Sequence, residues 1–212
     1  MKDYKKYIFD VDYTILIPDW SKEDDYFKEH ILENEQEEFF KNKQSILNKY
    51  EQEFPRYNTK TLSDYFKSYG FTVSEDTING WMIYNGETIK DEVVDGVVDL
   101  FKYLQENNKE IVILTSWFSR TQIPRLKRAG LFNYIDKIVA GEDAMKPGLE
   151  SFELAIDVTN KKDCIMIGDS IRSDKVGADN ALIDSYIVDK EHTIRNLYNM
   201  IIGEKYESKK QL

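Results

Sequence analysis

Residues 7–16 read Tyr7-Ile8-Phe9-Asp10-Val11-Asp12-Tyr13-Thr14-Ile15-Leu16. In this stretch a short apolar run ends in two aspartates that are one residue apart. Such a change from apolar to acidic residues is typical of the carboxyl end of a buried strand that carries functional groups. We therefore predict that a buried strand ends at these two carboxylates and that the rest of the chain supports and covers them.

Four further short apolar runs predict strands, and they lie at residues 110–114, 136–140, 163–167 and 185–188. Helical patterns of apolar residues separate these runs, so strand and helix alternate from residue 92 to residue 203. This alternation predicts an α/β fold, namely a doubly wound, mainly parallel, Rossmann-like sheet. Ligands of such sheets bind beyond the carboxyl ends of the strands.

One segment interrupts the alternation. From residue 18 to residue 90 the sequence is acidic and helical, and no strand is predicted. We therefore expect a core domain made of residues 1–17 and 91–212, with an inserted all-α subdomain at residues 18–90. Because the insertion follows the two aspartates directly, we interpret it as a mobile cover over the site; a rigid structural subdomain is the alternative. The charged tail from residue 204 to residue 212 is expected to fray.

Composition limits the classes of partner. The chain has 212 residues, of which 41% are hydrophobic and 32% charged, and its formal net charge is -10. Without a basic stripe, nucleic-acid binding through phosphate neutralisation is not expected. No apolar run is long enough to span a membrane, and the N-terminal residues lack a signal-peptide pattern. With a single cysteine, Cys164, we expect a cytoplasmic protein.

Polar side chains follow the predicted strands at the points where they end. They are Asp10 and Asp12 after the first strand, Thr115 and Ser116 after the second, Lys146 after the third, and Asp169 with Asp174 after the fourth. Because the carboxyl ends of parallel strands lie at one edge of a sheet, these residues should converge. The acidic set offers only oxygen ligands, which suit Mg²⁺ better than Zn²⁺.

These residues carry a family resemblance. The sequence resembles phosphatases of the haloacid dehalogenase superfamily whose helical cap is inserted after the first motif. Four motifs occur in the family's order: Asp10-Val11-Asp12-Tyr13-Thr14, an apolar strand ending in Thr115, Lys146-Pro147, and Gly168-Asp169 through Ser173-Asp174.

The resemblance implies a role for each of these residues. Asp10 would be the nucleophile that forms an aspartyl-phosphate, and Asp12 would protonate the leaving group and then activate water. Thr115 would bind the phosphoryl group with the backbone N–H groups of Ser116 and Val11, and Lys146 would bind it and offset the negative charge. Mg²⁺ would be held by Asp10, the backbone carbonyl of Asp12, Asp169 and, directly or through an intermediary, Asp174.

The second aspartate distinguishes phosphatases from dehalogenases, because a departing halide needs no proton. We therefore predict a Mg²⁺-dependent phosphomonoester hydrolase that acts on a small phosphorylated metabolite, such as a nucleotide or a sugar phosphate. The alternatives are a phosphomutase and a non-catalytic protein that binds such a metabolite. Four residues near the motifs are open candidates for substrate contact: Tyr13, Trp20, Arg120 and Arg172.

Overall fold

The computed structural model describes residues 2–210, with side chains for residues 2–203. Its strands are β1 (Lys6–Phe9), β2 (Leu16–Asp19), β3 (Lys90–Val93), β4 (Glu110–Leu114), β5 (Lys137–Val139), β6 (Cys164–Gly168) and β7 (Asp184–Ile187). Its α-helices are α1 (Asp25–His30), α2 (Gln36–Glu53), α3 (Thr59–Ser68), α4 (Glu75–Thr88), α5 (Val97–Glu106), α6 (Ser119–Arg128), α7 (Leu149–Ile156), α8 (Val176–Ala181) and α9 (Ile194–Lys210). The tail at residues 204–212 is predicted to fray, and its side chains and last two residues lie outside this description.

The central sheet has five strands in the order β5-β4-β1-β6-β7, and every neighbouring pair is parallel. The first strand of the chain is at the centre, where Phe9 lies opposite Ile113 on one side and Ile167 on the other. The predicted α/β fold with a parallel sheet is therefore confirmed. The residues that follow these three strands lie at one edge of the sheet.

Helices cover both faces of the sheet, because successive side chains of a strand point to opposite faces. Tyr7 and Phe9 pack into a core with Leu100 of α5 and Leu197 of α9. Ile8 points the other way, into a second core with residues of α7 and α8. Both faces of the central strands are thus buried, which explains why β4 and β6 are nearly uniformly apolar.

A second, two-stranded sheet joins the core to the helices that follow it. In this β2–β3 ribbon the strands are antiparallel, with Leu16 opposite Val93 and Asp19 opposite Lys90. The expectation of no strand between residues 18 and 90 is therefore wrong at both ends. The ribbon is hard to predict because β3 reads Lys-Asp-Glu-Val, which has no apolar alternation.

Helices α1–α4 lie between the two strands of the ribbon, and we call them the helical insertion. Its core is aromatic and includes Phe27, Phe39, Phe66 and Trp81, each with no exposed surface. The side chain of Asn58 caps α3 and that of Ser74 caps α4, each by accepting a backbone N–H bond of 3.0 Å. Among the residues that the structure describes, no helix is both long and apolar enough to cross a membrane.

Candidate active site

A cavity of about 610 Å³ lies at the carboxyl edge of the central sheet. The core lines it with polar residues that include Asp10, Asp12, Thr115, Ser116, Lys146, Ser170 and Ser173. The segment between β2 and β3 lines it with Glu23 and with Gln44, Leu47 and Glu51 of the helical insertion. The convergence that the sequence predicts at this edge is thus found, and the insertion forms part of the same cavity.

Asp10 follows β1 directly and is held in line with the sheet, since its backbone N–H donates to the Ile167 carbonyl at 2.9 Å. Its Oδ1 atom lies 2.8 Å from the Lys146 ammonium nitrogen. Burial raises the pKa of the Asp10 carboxyl to about 7; the Lys146 charge opposes this rise and the Asp174 charge adds to it. Burial is thus the largest influence on this carboxyl, and Lys146 favours its charged form.

Asp174 lies beneath Asp10 and has no exposed surface. Its Oδ1 atom is 2.6 Å from the Lys146 nitrogen, and its Oδ2 atom accepts the Ser170 backbone N–H at 3.0 Å. Burial works to lower the pKa of Lys146, but the charges of Asp10 and Asp174 outweigh it and hold that pKa above its ordinary value. A Cβ atom on Gly168 would lie 2.2 Å from Asp174 Oδ2, so only glycine leaves room for this carboxylate.

Three carboxylates could hold a metal ion here. Oxygen atoms of Asp10, Asp169 and Asp174 lie within 4.8 Å of one another. Burial raises the pKa of Asp169, and the nearby charge of Asp174 raises it further. Because Lys146 supplies one positive charge against three carboxylates, a divalent cation would complete the charge balance. An oxygen-only donor set of this kind fits Mg²⁺.

The Asp12 carboxylate is bound differently from that of Asp10. Its Oδ1 atom accepts a bond from Arg125 Nη2 at 2.7 Å, and its Oδ2 atom accepts one from Gln122 Nε2 at 2.9 Å. This side chain is not one of the three grouped carboxylates. The metal contact predicted for Asp12 runs through its backbone carbonyl, and it stays a prediction.

Two further residues that are predicted to bind the phosphoryl group, Thr115 and Ser116, line the cavity. Thr115 is 2% exposed, and its hydroxyl oxygen accepts the Trp117 backbone N–H and the Gln122 amide, both at 3.2 Å. Ser116 follows it in the cavity wall. Val11 is fully buried, and its carbonyl accepts the backbone N–H groups of residues 15 and 16 at 3.0 Å, which closes the loop after β1 tightly.

Three of the four open candidates line the cavity: Tyr13, Trp20 and Arg172. Tyr13 is half exposed and has a φ of 59°, a left-handed conformation that turns the chain toward β2. Arg120 is instead exposed, and its guanidinium donates to the Asn79 side chain at 2.5 Å. It thus binds the helical insertion at the surface.

Sequence reasoning missed Gln122 and Arg125, the two partners of Asp12. They lie three residues apart on α6, so they share one face of that helix. Neither residue belongs to one of the four motifs, and Arg125 lies 113 residues from Asp12, so the sequence carries no signal that links them to this carboxylate. Sequence reasoning also missed the cavity residues of α2, namely Gln44, Leu47 and Glu51, because their pattern is that of an ordinary amphipathic helix.

Comparison with known proteins agrees with this geometry. The model of the haloacid dehalogenase-like hydrolase family matches residues 5–181. The pyrimidine 5′-nucleotidase YjjG of Escherichia coli is 36% identical over 91 residues, which are 41% of this chain and 40% of the relative. The pyrophosphatase PpaX of Halalkalibacterium halodurans is 33% identical over 101 residues, 46% of each chain. The match to these curated relatives thus spans less than half of their length.

Solved structures share the fold over most of the chain. The magnesium-bound HAD-hydrolase YfnB of Bacillus subtilis superposes with a TM-score of 0.62 at 24% identity, covering 91% of this chain and 92% of that one. A HAD phosphatase from Thermococcus onnurineus gives a TM-score of 0.61 at 21% identity, covering 94% and 98%. At these identities the likeness concerns the fold alone. Because the family model covers most of the sequence, from the first strand to α8, the chain belongs to the haloacid dehalogenase-like hydrolases.

Proposed function

We propose that this chain is a Mg²⁺-dependent phosphomonoester hydrolase that acts through an aspartyl-phosphate on a small phosphorylated metabolite. The observation that carries the proposal is that Asp10 and Asp12 share one cavity but have separate partners. Asp10 lies beside Lys146 and the grouped carboxylates, whereas Asp12 lies beside Arg125 and Gln122. Two neighbouring carboxylates in different surroundings suit two different roles.

In the first step an Asp10 oxygen attacks phosphorus, and the bond between phosphorus and the ester oxygen breaks. The electron pair of that bond goes to the ester oxygen, which takes a proton from Asp12 and leaves as an alcohol. Lys146 and the Thr115 hydroxyl bind the phosphoryl oxygens and keep phosphorus in line with Asp10. In the second step Asp12 takes a proton from water, and the water oxygen attacks phosphorus. The bond between phosphorus and the Asp10 oxygen breaks, its electron pair returns to the Asp10 carboxylate, and inorganic phosphate is released.

Asp10, Asp169 and the backbone carbonyl of Asp12 are the proposed ligands of Mg²⁺, with Asp174 orienting the group from beneath. When bound, the ion neutralises charge and provides a template for the phosphoryl oxygens. The magnesium in the YfnB structure supports this choice of metal by analogy of fold. The grouping of Asp10, Asp169 and Asp174 oxygens within 4.8 Å of one another supports it independently, because Lys146 supplies a single positive charge beside them.

The cavity supports a nucleoside monophosphate or sugar phosphate as the substrate class. Trp20 and Trp117 offer aromatic faces, and flat rings stack well on such faces. Glu23 and Glu51 offer carboxylate oxygens, which accept hydrogen bonds from hydroxyl or amino groups. The names of two relatives, a pyrimidine 5′-nucleotidase and a ribulose-1,5-bisphosphate 5-phosphatase, fall in the same substrate classes. We further propose that residues 18–90 act as a cover that brings Trp20, Glu23 and Glu51 to the substrate.

The direct test is phosphate release from a panel of nucleoside monophosphates, sugar phosphates and phosphoglycolate in the presence of Mg²⁺. The wild-type chain should release phosphate, and Asp10→Asn should release none, because an amide is too poor a nucleophile to form the intermediate. Asp64→Asn on the exposed surface of α3 makes the same chemical change away from the cavity and should behave as wild type. Near-wild-type turnover by Asp10→Asn would refute the proposed nucleophile.

The same panel separates the alternatives. A phosphomutase would move phosphate between hydroxyl groups of one substrate and release little of it. A non-catalytic binding protein would bind a phosphorylated metabolite without converting it, although such a protein has no need of Asp12 and its two donors. Product analysis by phosphorus NMR distinguishes release, transfer and binding in one experiment.

A further inference from the structure

The Asp12 carboxylate is one end of a buried chain of polar side chains. Arg125 has no exposed surface, and its Nη2 atom lies 2.7 Å from Asp12 Oδ1 and 2.6 Å from Asp91 Oδ1. Its Nε atom also donates to both oxygens of Asp91, at 3.1 and 3.2 Å. Asp91 is on β3 of the β2–β3 ribbon. One guanidinium therefore connects the candidate proton donor to the strand through which the helical insertion returns to the core.

Gln122 makes the second contact to Asp12, and the orientation of its amide is fixed by Arg125. Its amide oxygen accepts a bond from Arg125 Nη1 at 2.7 Å, so its amide nitrogen must face the other way. That nitrogen donates to Asp12 Oδ2 at 2.9 Å and to the Thr115 hydroxyl at 3.2 Å. The amide cannot be turned over without placing its oxygen against a carboxylate. The two donors thus engage one oxygen each of Asp12 and define the plane of the carboxylate.

A purely structural ion pair would need only part of this arrangement. Asp91 alone already gives Arg125 a carboxylate partner with which it makes contacts through two nitrogen atoms. The contacts to Asp12 and Gln122 are additional, and they point toward the cavity. Trp20, which lines that cavity, lies over the guanidinium at 5.4 Å from ring centroid to carbon. The network therefore ends at the site and is covered by one of its walls.

We propose that Arg125 and Gln122 are positioning residues for Asp12, and that Asp91 positions Arg125 in turn. The inference rests on the proposed function, in which Asp12 gives its proton to the leaving oxygen. When that proton has gone, Asp12 is a carboxylate, and the Arg125 guanidinium 2.7 Å away stabilises its negative charge. Each carboxylate oxygen has two lone pairs, so a donor on one of them leaves the other for the proton.

Leaving-group dependence tests this role, because only a poor leaving group needs the proton. The two probes are p-nitrophenyl phosphate, whose phenolate is stable near neutral pH, and a pyrimidine 5′-monophosphate, whose alkoxide is not. In Arg125→Met, kcat/KM for the nucleotide should fall on the order of 100-fold, whereas kcat/KM for p-nitrophenyl phosphate should change less than about threefold. Gln122→Met should change the same ratio in the same direction by roughly tenfold. Arg125→Lys should recover part of the loss.

The ratio of the two kcat/KM values is the decisive quantity, because both are measured on one preparation and any unfolded fraction cancels. The matched control is Arg128→Met on the same helix. Arg128 also ties α6 to the insertion, through the carbonyls of Gly86 and Ile89, but it does not contact Asp12. Its ratio should equal that of the wild type.

Equal losses on both substrates in the Arg125 and Gln122 variants would overturn the positioning role and leave the proposed hydrolase intact. A wild-type chain that hydrolyses neither substrate with Mg²⁺ would overturn the proposed function itself, and the positioning role with it. A changed ratio in Arg128→Met would also overturn the inference, because the change would then be caused by altered packing of α6 and not by the loss of a contact to Asp12.

Discussion

Arg125 offers a stability prediction whose size follows from burial. This arginine is fully buried between Asp12 and Asp91, with nitrogen–oxygen distances of 2.7 and 2.6 Å. Substitution by Met would leave Asp91, whose side chain is 5% exposed, without its counter-charge. Removing one partner of a buried ion pair typically costs about 3 to 5 kcal/mol. We therefore expect Arg125→Met to lower the free energy of unfolding by about 3 to 5 kcal/mol.

The chain contains an exposed counterpart of nearly the same geometry. Arg195 lies 2.7 Å from Asp95 and 2.7 Å from Asp99, with its own side chain 35% exposed and that of Asp95 76% exposed. Water and salt screen such a pair, and its loss leaves no carboxylate without solvation. Arg195→Met should therefore unfold almost as the wild type does. The two variants remove the same chemical group and differ in burial.

Urea unfolding followed by circular dichroism measures both variants. With an m-value of about 2 to 3 kcal/mol/M, Arg125→Met should shift the midpoint down by roughly 1 to 2 M. The shift should persist in 0.5 M salt, which screens exposed charges but not buried ones. Equal midpoints for Arg125→Met and Arg195→Met would refute the reasoning, because burial would then have no effect on how much these arginine–aspartate ion pairs contribute to the free energy of unfolding.

Three further predictions concern the site and the core. Gly168→Ala should reduce phosphate release on the order of 100-fold, because the new Cβ would lie 2.2 Å from Asp174 Oδ2 and displace that carboxylate. The control in the same assay is Gly203→Ala, whose new Cβ would have no atom within 4 Å. Chelation with EDTA should abolish turnover, and added Mg²⁺ should restore it. Asp169→Asn should raise the Mg²⁺ concentration that gives half-maximal activity by roughly 10- to 100-fold. Activity that persists in EDTA would remove the metal from the proposal. Lys6→Met should lower the free energy of unfolding by about 1 to 3 kcal/mol, since the buried ammonium donates to the last two carbonyls of α7; a wild-type urea midpoint would show that those carbonyls find other donors.

The carboxylates of the site could be predicted from sequence because their positions follow from local rules. A parallel sheet brings its strand ends to one edge, so an acidic residue directly after a buried apolar run is placed by topology. Asp10 and Asp169 are of this kind, and so is the hydroxyl of Thr115. The three central strands β1, β4 and β6 could be predicted for the same reason, since burial on both faces makes them short apolar runs, whereas the edge strands β5 and β7 are only partly buried.

The partners of Asp12 could not be predicted in this way. Arg125 is 113 residues from Asp12 and 34 residues from Asp91, and no periodicity or motif connects the three. Their contact depends on how α6 packs against the β2–β3 ribbon. The ribbon itself is hard to predict from sequence, because β3 is a charged strand of only four residues. Long-range polar contacts of this kind follow from tertiary packing, which a one-dimensional pattern does not encode.

The β2–β3 ribbon also bears on how such a chain can change over evolutionary time. Asp19 lies opposite Lys90, so the backbone leaves the core and re-enters it at two points about 5 Å apart. A segment whose two ends are so close can be exchanged for one of another size or fold while the central sheet stays as it is. The part of the cavity wall that the insertion contributes can thus diversify independently of Asp10 and Asp12, and grafting a relative's insertion between residues 19 and 90 would test whether specificity moves with it.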